Sequence, residues 1–235
     1  MIEPLTRFQL AEFSALLAQP ARAGMLLALL DGAARRAGEL AVLAGVAPST
    51  ISAHLRKLVD AGLLSVLAQG RHRYYRLAGE EIADLLETLA LARPRRTIRA
   101  PSTALERDFA RARTCYHHLA GRLGVAFFER LRSQRGLVLT SDSVRLSKRG
   151  HRMLADSGLL ADDDAIERLS GRSCLDWTER RFHLAGPLGT YLTHRLFDAG
   201  WLRRRRDTRA LGITQRGHGG LAMLGLNWEQ LPQRS

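Results

Sequence analysis

A chain of 235 residues with 46% hydrophobic and 25% charged side chains is long enough for one large domain or two small ones, and its balance excludes a disordered protein. Two cysteines, Cys115 and Cys174, exclude a disulfide framework and leave free thiols, metal ligands or one redox pair. The net charge of +13 points to a polyanionic partner, nucleic acid ahead of a membrane surface, with a discount because only Lys57 and Lys148 of the 36 basic residues are lysine, a sign of compositional bias.

The charge is uneven. Residues 1–92 hold nine basic and nine acidic side chains, whereas residues 93–235 hold 27 and 14 and carry the whole excess. No basic start, apolar run and small-residue cleavage site occur together, and no stretch approaches the roughly 20 apolar residues of a membrane helix, so the expectation is a cytoplasmic protein with no membrane partner.

Residues 5–18 hold Leu5, Phe8, Leu10, Phe13, Leu16 and Leu17, an apolar density too high for one narrow stripe, which predicts contact with a partner subunit as well as with the chain's own core. After Gln19 and Pro20, residues 21–30 read as a second helix closed by Asp31 and Gly32. Residues 37–44 give a short helix, and Gly45, Val46 and Ala47 form the tight connection of a helix-turn-helix, with Pro48 starting the next helix.

That helix, residues 48–62 (P-S-T-I-S-A-H-L-R-K-L-V-D-A-G), separates its apolar and polar positions cleanly. Ile51, Leu55, Leu58 and Val59 recur as one buried stripe, while Ser49, Thr50, Ser52, His54, Arg56 and Lys57 occupy the remaining surface. Short polar groups at the start and cations further along suit a helix entering a DNA major groove by its N-terminal end. The competing structural roles are a helix cap for Ser49 and a bridge to the neighbouring helix for His54. Residues 63–69 and 73–77 then read as two strands around Gly70, Arg71 and His72, a wing bearing Arg71, Arg73 and Arg76, and residues 80–92 as a closing apolar helix.

With its two opening helices, E-L-A-x-x-A-G-V, S-T-I-S-x-H-L-x-K-L-x-x-A-G-L-L and G-R-x-R-Y-Y-R-L, the segment of residues 5–92 resembles the ArsR/SmtB family of winged-helix repressors. The resemblance implies a homodimer paired through its first and last helices, bound to double-stranded DNA at an imperfect palindrome and released by an effector. Carried onto this sequence, it puts DNA contacts on Ser49, Thr50, Ser52, His54 and Lys57, with Arg71 and Arg73 of the wing in an adjacent groove. Two family features are missing. Where arsenic, cadmium and lead sensors carry a cysteine pair, E-L-A-V-L-A-G has Ala41 and Leu43, and residues 80–92 lack the histidines of zinc and nickel sensors, offering only Glu80, Glu81, Asp84 and Glu87.

Residues 93–102 (R-P-R-R-T-I-R-A-P-S) read as a basic linker. Beyond it, residues 118–154 and 183–221 resemble each other. The copies begin H-L-A-G-R-L-G-V and H-L-A-G-P-L-G-T and end R-L-S-K-R-G-H-R-M-L and G-I-T-Q-R-G-H-G-G-L. Each copy is read as helix, glycine turn, helix, two strands, helix. The expected fold class is therefore mainly α with small β-hairpins (α+β): a winged helix-turn-helix domain over residues 1–92 and a sensor or regulatory domain over residues 103–235 built of two winged-helix-like repeats. The alternative is a helical sensor domain with one hairpin.

Arg203, Arg204, Arg205 and Arg206 with Arg209 fall on the second copy's hairpin and are candidates for additional DNA or anion contacts, against a solvated or intramolecular role involving a patch such as Asp162, Asp163 and Asp164. Cys115, His118, Cys174 and His183 offer two sulfurs and two imidazoles near the starts of the copies. They are candidates for zinc, another metal or haem, or a Cys115/Cys174 redox switch, against a structural role or an organic-effector pocket lined by Trp177, Phe182, Trp201 and Trp228. Cys115 and His118 are read as sharing a helical face; Cys174 and His183 have no standard spacing. Without a P-loop, dinucleotide glycine pattern, G-x-S-x-G or H-E-x-x-H, an enzyme is not expected. The sequence supports an effector-released dimeric repressor, the alternative being an architectural or non-specific DNA-binding protein driven by its basic C-terminal half.

Overall fold

The computed structural model describes residues 6–92, 103–161, 166–206 and 208–227. Leu5, the linker at 93–102, Asp162 to Asp164 and Trp228 lie outside the described residues. The chain divides into two compact units at residues 86 and 87, and no described helix is long and apolar enough to cross a membrane.

The first unit contains helices α1 (Arg7–Ala18), α2 (Pro20–Ala28), α3 (Ala37–Ala44), α4 (Pro48–Asp60) and the start of α5 (Glu80–Leu91), with strands β1 (Arg35–Arg36), β2 (Leu64–Gln69) and β3 (His72–Leu77). Gln19 caps α2 by accepting from the Ala21 amide at 2.6 Å, and Arg22 donates to the Leu16 and Ala15 carbonyls at 2.7 and 2.6 Å, so the last turn of α1 is tied to α2. Gly45 ends α3 in the left-handed region at φ 65°, where a side chain would be strained, and this reverses the chain into α4. Met25, Leu26, Leu29, Leu30, Leu40, Ile51, Leu55 and Leu58 form the core between these helices. The wing is a sheet of order β1-β3-β2. Its two-residue strand β1 is not apparent in the sequence, because Arg35 and Arg36 carry no apolar alternation.

The second unit is built of α6 (Ala104–Arg111) and two similar halves. The first half runs β4 (Arg113–Cys115), β5 (His118–Ala120), α7 (Gly121–Ser133), β6 (Leu137–Leu139), β7 (Val144–Leu146) and α8 (Lys148–Asp156). The second runs β8 (Ser170–Leu175), β9 (Phe182–Ala185), α9 (Gly186–Asp198), β10 (Leu202–Arg204), β11 (Leu211–Ile213) and α10 (Gln215–Met223) after a short 3-10 turn at Ile166–Arg168. The helix–hairpin–helix order of each repeat is as read from sequence, but H-L-A opens each copy as a strand, not a helix. Gly121 and Gly186 follow at φ 73° and 71° and turn strand into helix. Leu123, Phe127, Leu131 and Leu154 of the first half and Leu188, Leu192, Leu196 and Leu221 of the second pack into one core.

The halves exchange strands. β7 of the first pairs with β8 of the second through Val144↔Gly171 and Arg145↔Ser170, completing a four-stranded antiparallel sheet β6-β7-β8-β9. Reciprocally, β4 of the first half lies along β11 of the second through the Arg113↔Ala210 bridge and a 2.8 Å bond from the Leu211 amide to the Ala112 carbonyl. This is the pairing of two elements related by a pseudo-two-fold axis.

Candidate nucleic-acid interface and a buried cysteine–histidine cluster

Helix α4 takes its direction from the buried stripe of Ile51, Leu55 and Leu58, which packs inward and leaves the opposite surface free. Ser49, Thr50, Ser52 and Lys57 are exposed and His54 is half-buried. The N-cap is Ala47, with no side-chain cap, so Ser49 is not consumed in capping. Thr50 spends its hydroxyl proton on the Ala47 carbonyl at 2.9 Å and keeps its oxygen as an acceptor. On the wing, Gln69↔His72 closes a two-residue turn at Gly70 and Arg71, and Arg71 and Arg73 are exposed. Arg76 is steered by a 3.2 Å bond to Ser65 Oγ. Exposed dipoles and cations thus occur on both the helix and the wing.

The arginine run on the second unit is partly committed to its own fold. Arg204 lies 4.9 Å over the Phe197 ring, Arg205 pairs with Asp108, and Arg209 bonds Glu87 at 2.6 Å. Arg203 and Arg206 are exposed.

The four cysteine and histidine candidates occupy equivalent places. Cys115 and His118 are cross-strand partners on β4 and β5, not neighbours on a helical face, and Cys174 and His183 are cross-strand partners on β8 and β9. The hairpins join across the pseudo-two-fold: His183 Nε2 lies 3.2 Å from His118 Nδ1, and the Cys115 thiol hydrogen-bonds Cys174. The reactive atoms of Cys115, Cys174 and His183 all fall within 4.8 Å of one another. Cys115, His118 and His183 are buried and Cys174 is half-buried. Burial, with His183 alongside, holds the His118 imidazole well below the usual range and therefore neutral, while the bond to Cys174 and burial push the Cys115 thiol well up.

Beside this cluster sits an ion pair that sequence reasoning misses. Arg113 Nη2 donates to both oxygens of Asp176 at 3.0 Å, and both side chains are fully buried. Asp176 Oδ2 also accepts from the Gly121 amide at 2.7 Å, and Oδ1 from the Thr178 amide and hydroxyl at 2.9 and 2.6 Å. Burial works to raise this carboxyl and is outweighed by the Arg113 charge, by His183 and by these hydrogen bonds, which hold it below the usual carboxylate range. The signal that could have found the pair is a gapped repeat. R-T-C precedes the first H-L-A-G and R-S-C the second, but the second hairpin carries six more residues, D-W-T-E-R-R at 176–181, so a constant offset does not align them. Thr193 was likewise unforeseen; it accepts from the Leu119 amide at 2.8 Å and donates to the Gly189 carbonyl at 2.7 Å. The aromatic candidates do not gather: Trp201 is in the core against α10, Trp177 lies 5.3 Å from the Arg113 guanidinium, and Phe182 is exposed.

Residues 19–66 match the family described as bacterial regulatory protein, arsR family. The chain is 40% identical over 210 residues to the uncharacterized HTH-type transcriptional regulator YdfF of Bacillus subtilis (strain 168), an alignment covering 88% of this chain and 93% of that protein. Among solved structures, the homodimeric winged helix-turn-helix DNA-binding domain of Mb0332 from Mycobacterium bovis, a possible ArsR-family transcriptional regulator, is 30% identical with a TM-score of 0.33, covering 39% of this chain and 89% of that one. M. tuberculosis Rv0081 is 34% identical with a TM-score of 0.33, covering 37% and 87%.

Proposed function

Because this chain belongs to the ArsR family of bacterial HTH-type transcriptional regulators, and is therefore a DNA-binding regulator, we propose that it works as a homodimeric repressor whose second unit senses an effector and releases the operator. The observation that carries the reading is the division of α4, with Ile51, Leu55 and Leu58 inward and Ser49, Thr50, Ser52 and Lys57 outward at an uncapped N-terminus. In this reading Ser49, Thr50, Ser52 and His54 meet base edges and phosphates, Lys57 meets phosphate, and Arg71 and Arg73 reach the neighbouring groove. Two copies are needed because one recognition helix spans only a half-site. The exposed apolar face of α1, which buries no residue and leaves Phe8 68% exposed, supports such pairing.

The alternative, a non-specific DNA-binding protein, draws on the excess charge of residues 93–235. Arg204, Arg205 and Arg209 weaken it, since each is engaged within the second unit. The test compares a fragment of the protein's own promoter with random DNA at one fixed salt concentration. We expect clear preference for the promoter fragment, with Lys57→Ala lowering affinity on both DNAs and reducing the salt slope by about 1. Equal affinity for the two DNAs would overturn the repressor reading.

A further inference from the structure

We propose that Cys115, Cys174 and His183 form a site for a thiophilic divalent metal ion of the zinc class, which clamps the two halves of the second unit together. The site is independent of the DNA-binding reading, since every ligand lies in the second unit and outside the matched residues 19–66.

The geometry comes from the two hairpins. Register fixes Cys115 opposite His118 and Cys174 opposite His183, and the pseudo-two-fold brings both sulfurs and the His183 ring together, with all three ligand atoms inside 4.8 Å. Tetrahedral coordination with metal–sulfur bonds of about 2.3 Å and metal–nitrogen bonds of about 2.0 Å places such atoms about 3.5–3.8 Å apart, so closure needs shifts of only about 1 Å. Two sulfurs and an imidazole select a borderline or soft ion over magnesium or calcium, whose ligands are oxygens. Three protein ligands leave the fourth position for water or an exogenous donor.

The surroundings are those of a supported site. His183 Nε2 lies 3.2 Å from His118 Nδ1, while Nδ1 is buried without a hydrogen-bond partner, 3.7 Å from Asp176 Oδ2, so a ligand nitrogen has a polar neighbour on the other side of the ring. Asp176 is itself locked by Arg113, Gly121 and Thr178. Two thiolates balance a divalent ion, so loading adds no net charge to this buried region, and two thiol protons leave to solvent. The half-buried Cys174 provides the route of entry.

The test uses the full-length chain, reduced and stripped of metal, titrated with cobalt(II) as a spectroscopic probe and then with zinc. We expect one equivalent per chain to give tetrahedral d–d bands and a sulfur-to-cobalt charge-transfer band, both erased by zinc. Cys115 and Cys174 are the only thiols, so the charge-transfer band of the wild-type chain reports their ligation even where a variant misfolds. Cys174→Ser, the least buried change, should lose the charge-transfer intensity of one sulfur and the zinc-dependent rise in Tm while keeping its far-UV circular dichroism. Absence of the bands in reduced wild-type protein, or bands undiminished in Cys174→Ser, would overturn the site.

Discussion

Arg113 and Asp176 show what a single buried pair demands. Both side chains are fully buried, and the guanidinium also lies 5.1 and 5.3 Å from the Phe109 and Trp177 rings, so removing one partner leaves the other a buried charge without its counter-ion. Arg113→Met should therefore destabilise the second unit by about 3–5 kcal/mol, measured as a lower urea midpoint. Arg113→Met combined with Asp176→Asn should recover part of that loss, because no unpaired charge remains. A single variant with the wild-type midpoint would show that the pair contributes nothing. Only the gapped repeat hints at this pair: Arg113 is one of 36 basic residues, and its partner is 63 positions away on an insertion present in only one repeat.

At the scale of elements, the first unit was readable because its helices are amphipathic and punctuated. Pro20, Gly45, Pro48 and the Gly70 turn fall at element ends, and the stripe in α4 alternates as a helix must. The second unit was readable only in part. Strands β4, β5 and β9 are three or four residues long and almost wholly buried, so they show no period-two alternation, and an H-L-A-G that turns from strand into helix resembles a helix start. The cysteine–histidine spacings, three and nine, could not be interpreted until the hairpins supplied the register. Helix α1 carries a prediction at this scale. It buries no residue and exposes Phe8 and Leu10, so in the proposed homodimer the double variant Phe8→Asp, Leu10→Asp should shift the protein from dimer to monomer in sedimentation while leaving the core helices, and hence the circular dichroism, intact. A double variant that sediments as a dimer would place the interface elsewhere.

For the whole molecule, charge and readout are divided between the units. The first, residues 1–86, has nine basic and eight acidic side chains and holds α4 and the wing; the second, with 27 basic and 15 acidic, holds nearly all the excess of positive charge and the cysteine–histidine cluster. The exchange of strands between the two halves of the second unit sets its folding. Each half lends a strand edge to the other: β7 pairs with β8, and β4 is bridged to the second half at Arg113↔Ala210. Each half alone would present an unpaired strand edge, a template for aggregation. A gene interrupted between α8 and the 3-10 turn should then give two fragments that are insoluble apart but soluble and associated when made together, as read by co-purification. Fragments that are each soluble alone would contradict this. The same exchange could also take place between two chains, since nothing in the pairing distinguishes the half a chain carries from the identical half of a neighbour. The connection between α8 and β8 would decide which occurs, so shortening it is a route from self-complementation to a strand-swapped pair.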